Sequence, residues 1–124
     1  ASVKMLVCLL PLTDQTRGIV NADLLTQLPD DSYFINAGRG QHVVDDDLLA
    51  ALDSGKLSGA TLDVFHVEPL PQDHACWSHA KVTITPHNAA DSFPADVCPQ
   101  ILANIKGVLR GDAPLNEVKV GRGY

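Results

Sequence analysis

A guanidinium, a carboxylate and an imidazole stand out in this sequence because together they can grip a small anion and move a proton. Arg39 lies between glycines in Asn36-Ala37-Gly38-Arg39-Gly40, Glu68 heads the turn Glu68-Pro69-Leu70-Pro71, and His87 closes Val82-Thr83-Ile84-Thr85-Pro86-His87. A guanidinium holds a planar carboxylate through two parallel hydrogen bonds, and flanking glycines leave bare backbone for the anion to approach. A 2-oxo or 2-hydroxy acid fits that description. Histidine is poised to exchange a proton near neutral pH, and a neighbouring carboxylate fixes its tautomer and favours its charged form. Asp63, near the end of Ala60-Thr61-Leu62-Asp63-Val64-Phe65, adds a second carboxylate. Each residue also has a plainer account. Arg39 can pair with the acidic helix start at Asp45 or Asp46, Glu68 can be a solvated loop carboxylate, and His87 can be a satisfied histidine after a Thr-Pro turn.

Whether these groups meet depends on the elements that carry them. Lys4 to Leu10 is nearly all apolar and is stopped by Pro11, which predicts a strand buried on both faces. Thr13 or Asp14 can cap a short turn ending at Gly18, and Asn21 can cap a helix bearing Leu24, Leu25 and Leu28 on one face. Tyr33 to Ile35 reads as a second strand. Asp45, Asp46 and Asp47 suit the positive end of a helix with Leu48, Leu49 and Leu52 as its stripe and Gly55 at the left-handed C′ position. Gly59 to Val64 and Val82 to Thr85 are the third and fourth strands, joined by an aperiodic connection over 65–80. A last helix starts around Ser92 and Pro94 with Val97, Ile101, Leu102, Ile105, Val108 and Leu109 in a stripe; Pro99 predicts either a kink or a later start. An extended tail follows from Gly111.

This order predicts an α/β fold, a parallel sheet of about four strands with crossover helices. Arg39, Glu68 and His87 each follow a separate strand, so the sheet would bring all three to its carboxyl edge, where open α/β sheets bind ligands. The 124 residues are the size of one domain, able to bury about two thirds of the surface of the unfolded chain. A formal charge of -6 with scattered basic residues gives no footprint for nucleic acid, and no apolar run approaches the roughly 20 residues that span a bilayer. Partners are therefore expected to be small molecules or protein surfaces. Three widely spaced cysteines and no basic-hydrophobic leader point to the cytoplasm, while a start at Ala1 rather than methionine hints at a beginning cut from something longer.

Four strings in register carry a resemblance: Leu9-Leu10-Pro11-Leu12-Thr13, Asn36-Ala37-Gly38-Arg39-Gly40, Leu62-Asp63-Val64-Phe65 with Glu68-Pro69-Leu70-Pro71, and Thr85-Pro86-His87. In this order they resemble the D-isomer-specific 2-hydroxyacid dehydrogenases over most of the chain. The run from His42-Val43-Val44 to Leu57, with the closing Arg122-Gly123-Tyr124, is most similar to the glyoxylate/hydroxypyruvate reductase A branch of that family. The resemblance implies an oxidoreductase transferring hydride between NAD(P)H and a small 2-oxo acid, with NADP(H) favoured over NAD(H) through that branch. It implies that Arg39 binds the substrate carboxylate and polarises its carbonyl, that His87 donates the proton, and that Glu68 keeps His87 protonated. Asp63 would accept from the nicotinamide carboxamide, while Leu10, Pro11, Thr13, Ala37, Gly38, Arg39, His87 and Ala89 would line the cofactor. His87-Asn88-Ala89-Ala90 departs from the commoner pattern with glycine after the histidine.

The strand, GxGxxG turn and helix that hold a dinucleotide pyrophosphate are not in this sequence. The expectation is thus the latter half of a Rossmann-like NAD(P)-binding domain over 1–111, a tail over 112–124, and no separate substrate domain. Such a chain is expected to be inactive alone and to self-associate, as a homo-oligomer or dimer, through an open sheet edge near Leu6. The alternative is a non-catalytic binding or interaction module derived from a dehydrogenase half-domain. A zinc site from His66, His74, Cys76 and His79 matches no common ligand spacing, and no metal is expected.

Overall fold

The structure is a computed structural model that describes residues 3–119 and 121, so the closing Arg122-Gly123-Tyr124 lies outside the described residues. Strands β1 (Met5–Cys8), β2 (Ser32–Asn36), β3 (Leu57–Leu62) and β4 (Val82–Ile84) pair in parallel in the order β1-β2-β3-β4. Their register is flush: Cys8 pairs with Asn36, Asn36 with Leu62 and Leu62 with Ile84. All four strands therefore release their chains at the same edge.

Two helices form where the cap signals sit. Asn21 Oδ1 accepts the Leu24 N–H at 3.1 Å to start α1 (Ala22–Thr26), and the three aspartates open α2 (Asp45–Asp53). Asp47 reaches across to accept the Ala22 N–H at 2.8 Å, so one carboxylate serves the starts of both helices. Gly55 ends α2 at φ +80°, donating to Leu52 O at 3.2 Å, the left-handed position expected for it. The leucine stripes then have one place to go. Leu25, Leu28, Leu48 and Leu52 pack with Cys8, Phe34, Ala60 and Leu62 from one face of the sheet. Each large side chain buried there contributes roughly 1.5 to 3 kcal/mol.

The other face differs from expectation. An apolar run from Lys4 to Leu10 predicted burial on both sides, yet Met5 is 56% and Val7 45% exposed, because β1 is the outermost strand and alternates between core and surface. Edge position, not hydrophobicity, decides its exposure.

The described chain forms two compact units, one up to Ala89 and one from Ala90. The second contains α3 (Pro94–Leu109), which begins with Pro94 at its first position behind Phe93 as cap and runs on through Pro99. The start falls at Pro94, as Ser92 and Pro94 marked it, and Pro99 does not start the helix. Its stripe of Ile101, Leu102, Ile105, Val108 and Leu109 is exposed. Instead of an extended tail, the segment after Gly111 (φ +88°) turns so that the Leu115 N–H donates to Asn104 Oδ1 at 2.6 Å. Among the described residues, no helix is long and apolar enough to cross a membrane.

Candidate active site

The loop after β2 is shaped by two fully buried polar side chains. Asn36, the last residue of the strand, accepts the Gly38 N–H on Oδ1 at 3.1 Å and donates from Nδ2 to Arg39 O at 3.0 Å. His42, completely buried, accepts the Arg39 N–H on Nδ1 at 3.0 Å and lies 3.3 Å from Pro11 O through Nε2. Both peptide groups of Arg39 are thus tied down while its side chain stays exposed. Gly40 presses on the chain leaving β3: a Cβ there would stand 2.0 Å from Phe65 C, closer than any atoms can approach. The arginine makes no ion pair with Asp45 or Asp46 among the described residues; its Nη1 donates to Gly38 O at 2.7 Å.

On the neighbouring strands the proton-carrying groups meet. Glu68 Oε1 accepts the Phe65 N–H at 2.9 Å, and its Oε2 lies 2.8 Å from His87 Nδ1. The hydrogen bond from His87 is the main reason the Glu68 carboxyl is held below its ordinary range; the Phe65 N–H and the charges of His87 and Arg39 add to it, against burial. An ionised carboxylate only accepts, so Nδ1 carries the hydrogen and Nε2 is turned away from Glu68. His87 itself occupies the left-handed region at φ +53°, which is uncommon for a side-chain-bearing residue.

Asp63 keeps that turn in place. Its Oδ1 accepts from Thr85 Oγ1 and, at 3.0 Å, from the Asn88 N–H, and its Oδ2 accepts from the Ala89 N–H at 2.9 Å. Burial pushes the Asp63 carboxyl up, but these three hydrogen bonds and the His87 charge outweigh it and leave the group below its ordinary range. Three of about four acceptor directions are taken within the chain. Beside the pair opens a cavity of about 480 Å³ walled by Phe65, Leu70, Trp77, Ile84, Pro86 and His87.

The remaining residues singled out from the sequence lie along the same edge. Leu10 and Pro11 follow β1 and are exposed; Thr13 carries the turn, accepting the Arg17 N–H on its carbonyl at 3.0 Å. Ala37 donates to Cys8 O at 3.1 Å, and a Cβ on Gly38 would come within 3.3 Å of Leu10 O and 3.0 Å of His42, so these loops lie backbone against backbone. The four zinc-type residues divide instead between two carboxylates. His66 and His74 face Asp45 at 3.6 and 3.7 Å, His79 faces Asp53 at 3.3 Å, and burial followed by the Asp45 charge pushes the Cys76 thiol up. Sequence reasoning missed Thr85 and Trp77 as parts of the site, and took His42 only as a letter in a similar string. Their signals, a hydroxyl two positions before the histidine and a lone tryptophan in a proline-rich loop, do not stand out without the fold.

Residues 1–89 match the family model described as the D-isomer specific 2-hydroxyacid dehydrogenase NAD binding domain. The chain belongs to the D-isomer-specific 2-hydroxyacid dehydrogenase family. Its four parallel strands and helices are the Rossmann-like architecture of that family's NAD-binding domain. Among solved structures, a D-isomer specific 2-hydroxyacid dehydrogenase from Xanthobacter autotrophicus Py2 in complex with NADPH and MES is 45% identical, with a TM-score of 0.93, covering 98% of this chain and 50% of that one. An NADPH-dependent glyoxylate/hydroxypyruvate reductase from Sinorhizobium meliloti, in complex with NADP and sulfate, is 41% identical with a TM-score of 0.90, covering 98% and 40%. A probable 2-hydroxyacid dehydrogenase from Rhizobium etli CFN 42, in complex with NADP, HEPES and tartaric acid, is 38% identical with a TM-score of 0.85, again covering 98% and 40%. The chain spans half or less of the length of each of these family members.

Proposed function

We propose that these residues form the substrate and proton-transfer end of an NADP(H)-preferring 2-oxo acid reductase of the glyoxylate/hydroxypyruvate type. The observation that carries this reading is the 2.8 Å contact of His87 Nδ1 with Glu68 Oε2, and the Arg39 charge that helps lower the Glu68 carboxyl supports it. The preference for NADP(H) leans on the relatives crystallised with NADPH or NADP.

Arg39 would grip the acid's carboxylate with its fork of donors and draw electron density from the adjacent carbonyl. His87 would hold a proton on Nε2, aimed at the carbonyl oxygen, while Glu68 fixes the ring through Nδ1 and balances its charge. A reduced nicotinamide, when bound, supplies the hydride. Asp63 keeps one acceptor direction on Oδ2, which suits an amide donor such as the nicotinamide carboxamide. Leu10, Pro11, Thr13, Ala37, Gly38 and Ala89 would flank it along the rim. With no GxGxxG turn for the pyrophosphate, the 124 residues alone bind the dinucleotide weakly and turn over negligibly, and the open β1 edge drives self-association.

The experiment is NADPH-dependent glyoxylate reduction by the complete product of the coding sequence that contains this chain. Replacing His87 by Asn is expected to lower kcat by about 10² to 10⁴ without unfolding the protein. Undiminished turnover by His87→Asn, or rapid turnover by the 124 residues alone, contradicts the corresponding part of the reading.

A further inference from the structure

We infer that His42 is a positioning residue, a role that rests on the reductase reading of the same site: its neutral ring, bonded to Arg39 N–H and Pro11 O, sets the spacing between the acid-gripping loop and the cofactor-flanking segment. The loops after β1 and β2 leave the ladder at Cys8 and Asn36; backbone bonds rejoin the two segments farther on, at Gly18 N–H to Gln41 O and Val20 N–H to His42 O, and between those and the Ala37 N–H to Cys8 O bond the imidazole links Pro11 to Arg39. Arg39 is exposed and its guanidinium is bonded to Gly38 O within its own loop, so where that guanidinium can reach is decided by where its backbone is held.

The chemistry of the ring makes this more than packing. His42 has no exposed surface, and a buried imidazole is costly unless both nitrogens are satisfied. Nδ1 accepts the Arg39 N–H and cannot carry a hydrogen, so the hydrogen is on Nε2 and points to Pro11 O. One tautomer therefore serves both loops. A leucine would fill the same space and hold neither. Gly38 lies flat against the ring, where a Cβ would come 3.0 Å from Nδ1, so loop and imidazole are fitted to each other.

The test assays the complete gene product with glyoxylate and NADPH, and reads the imidazole nitrogens of the 124-residue chain by NMR. His42→Ala is expected to raise the glyoxylate KM about ten- to hundred-fold, the scale of a small misplacement of a substrate-holding group. In His42→Asn the Oδ1 stands where Nδ1 stood and accepts the Arg39 N–H, but nothing reaches Pro11; it should recover most of the glyoxylate KM, while the NADPH KM is raised in both variants. NMR should find His42 as the Nε2–H tautomer. A variant that loses only folded yield or kcat with both KM values unchanged overturns the inference, as does His42→Asn behaving like His42→Ala, or an Nδ1–H ring. An inactive wild type fails the reductase reading itself, a result distinct from an active wild type whose KM values ignore His42.

Discussion

The two sides of the candidate site are built in opposite ways. The Arg39 side is fixed from behind: buried Asn36 and His42 hold backbone groups, Gly40 packs against Phe65, and only the guanidinium emerges. The His87 side is fixed from the front, by a carboxylate and imidazole whose side chains are 37% and 49% exposed, with Asp63 alone anchoring the turn beneath. The comparison teaches where each kind of function tolerates change. On the proposed reading, the group that would bind an anion has the rigid base, and the group that would pass a proton is the one left open to the molecule receiving it.

Substitutions in the 124-residue chain, followed by urea unfolding, are expected to sharpen this contrast. The largest effect belongs to Gly40→Ala, since a Cβ 2.0 Å from Phe65 C has no rotamer to escape into; a loss of at least about 3 kcal/mol is expected. Gly55→Ala is its control, with open space around the Cβ but φ +80°, and should cost only about 1 to 2 kcal/mol. Near-equal losses would break the argument that Gly40 is there for close approach. Asp63→Ala removes the acceptor of three hydrogen bonds and should cost about 2 kcal/mol.

Acid should act on the His87 side. Asp63 and Glu68 are held below their ordinary 3.8 and 4.5, so their contribution is complete above about pH 4.5 and is lost as pH falls through the lowered folded values. Stability measured across that range should fall less steeply in Asp63→Asn than in the parent chain. Smallest of all, Glu68→Gln should change stability by under about 1 kcal/mol, because solvent screens the exposed pair. A much larger loss would mean that the pair holds the loop together and is not a free catalytic couple.

Much of this was legible beforehand because local chemistry and global order agreed. Asn21, the aspartates of α2 and Gly55 announced their helix ends, and short β-like runs separated by helical periods announced a parallel sheet. The positions of Arg39, Glu68 and His87 after separate strands followed from that order. What escaped depended on position within the whole: a strand of apolar residues reads the same in the middle of a sheet as at its margin, so the exposure of Met5 and Val7 had no sequence signal. A start at Pro99 fails because a missing N–H near a helix start removes one bond without stopping the coil. His42 escaped because burial, which makes it informative, is a property of the folded chain.

Strand order along the sheet equals order along the chain, and this has a metric consequence. Three inter-strand steps of about 4.8 Å separate the exit of β1 from that of β4, roughly 14 Å in all. No two- or three-carbon acid stretches so far. A molecule lying along all four exits must match that length, so the row of strand ends acts as a ruler for whatever occupies the edge.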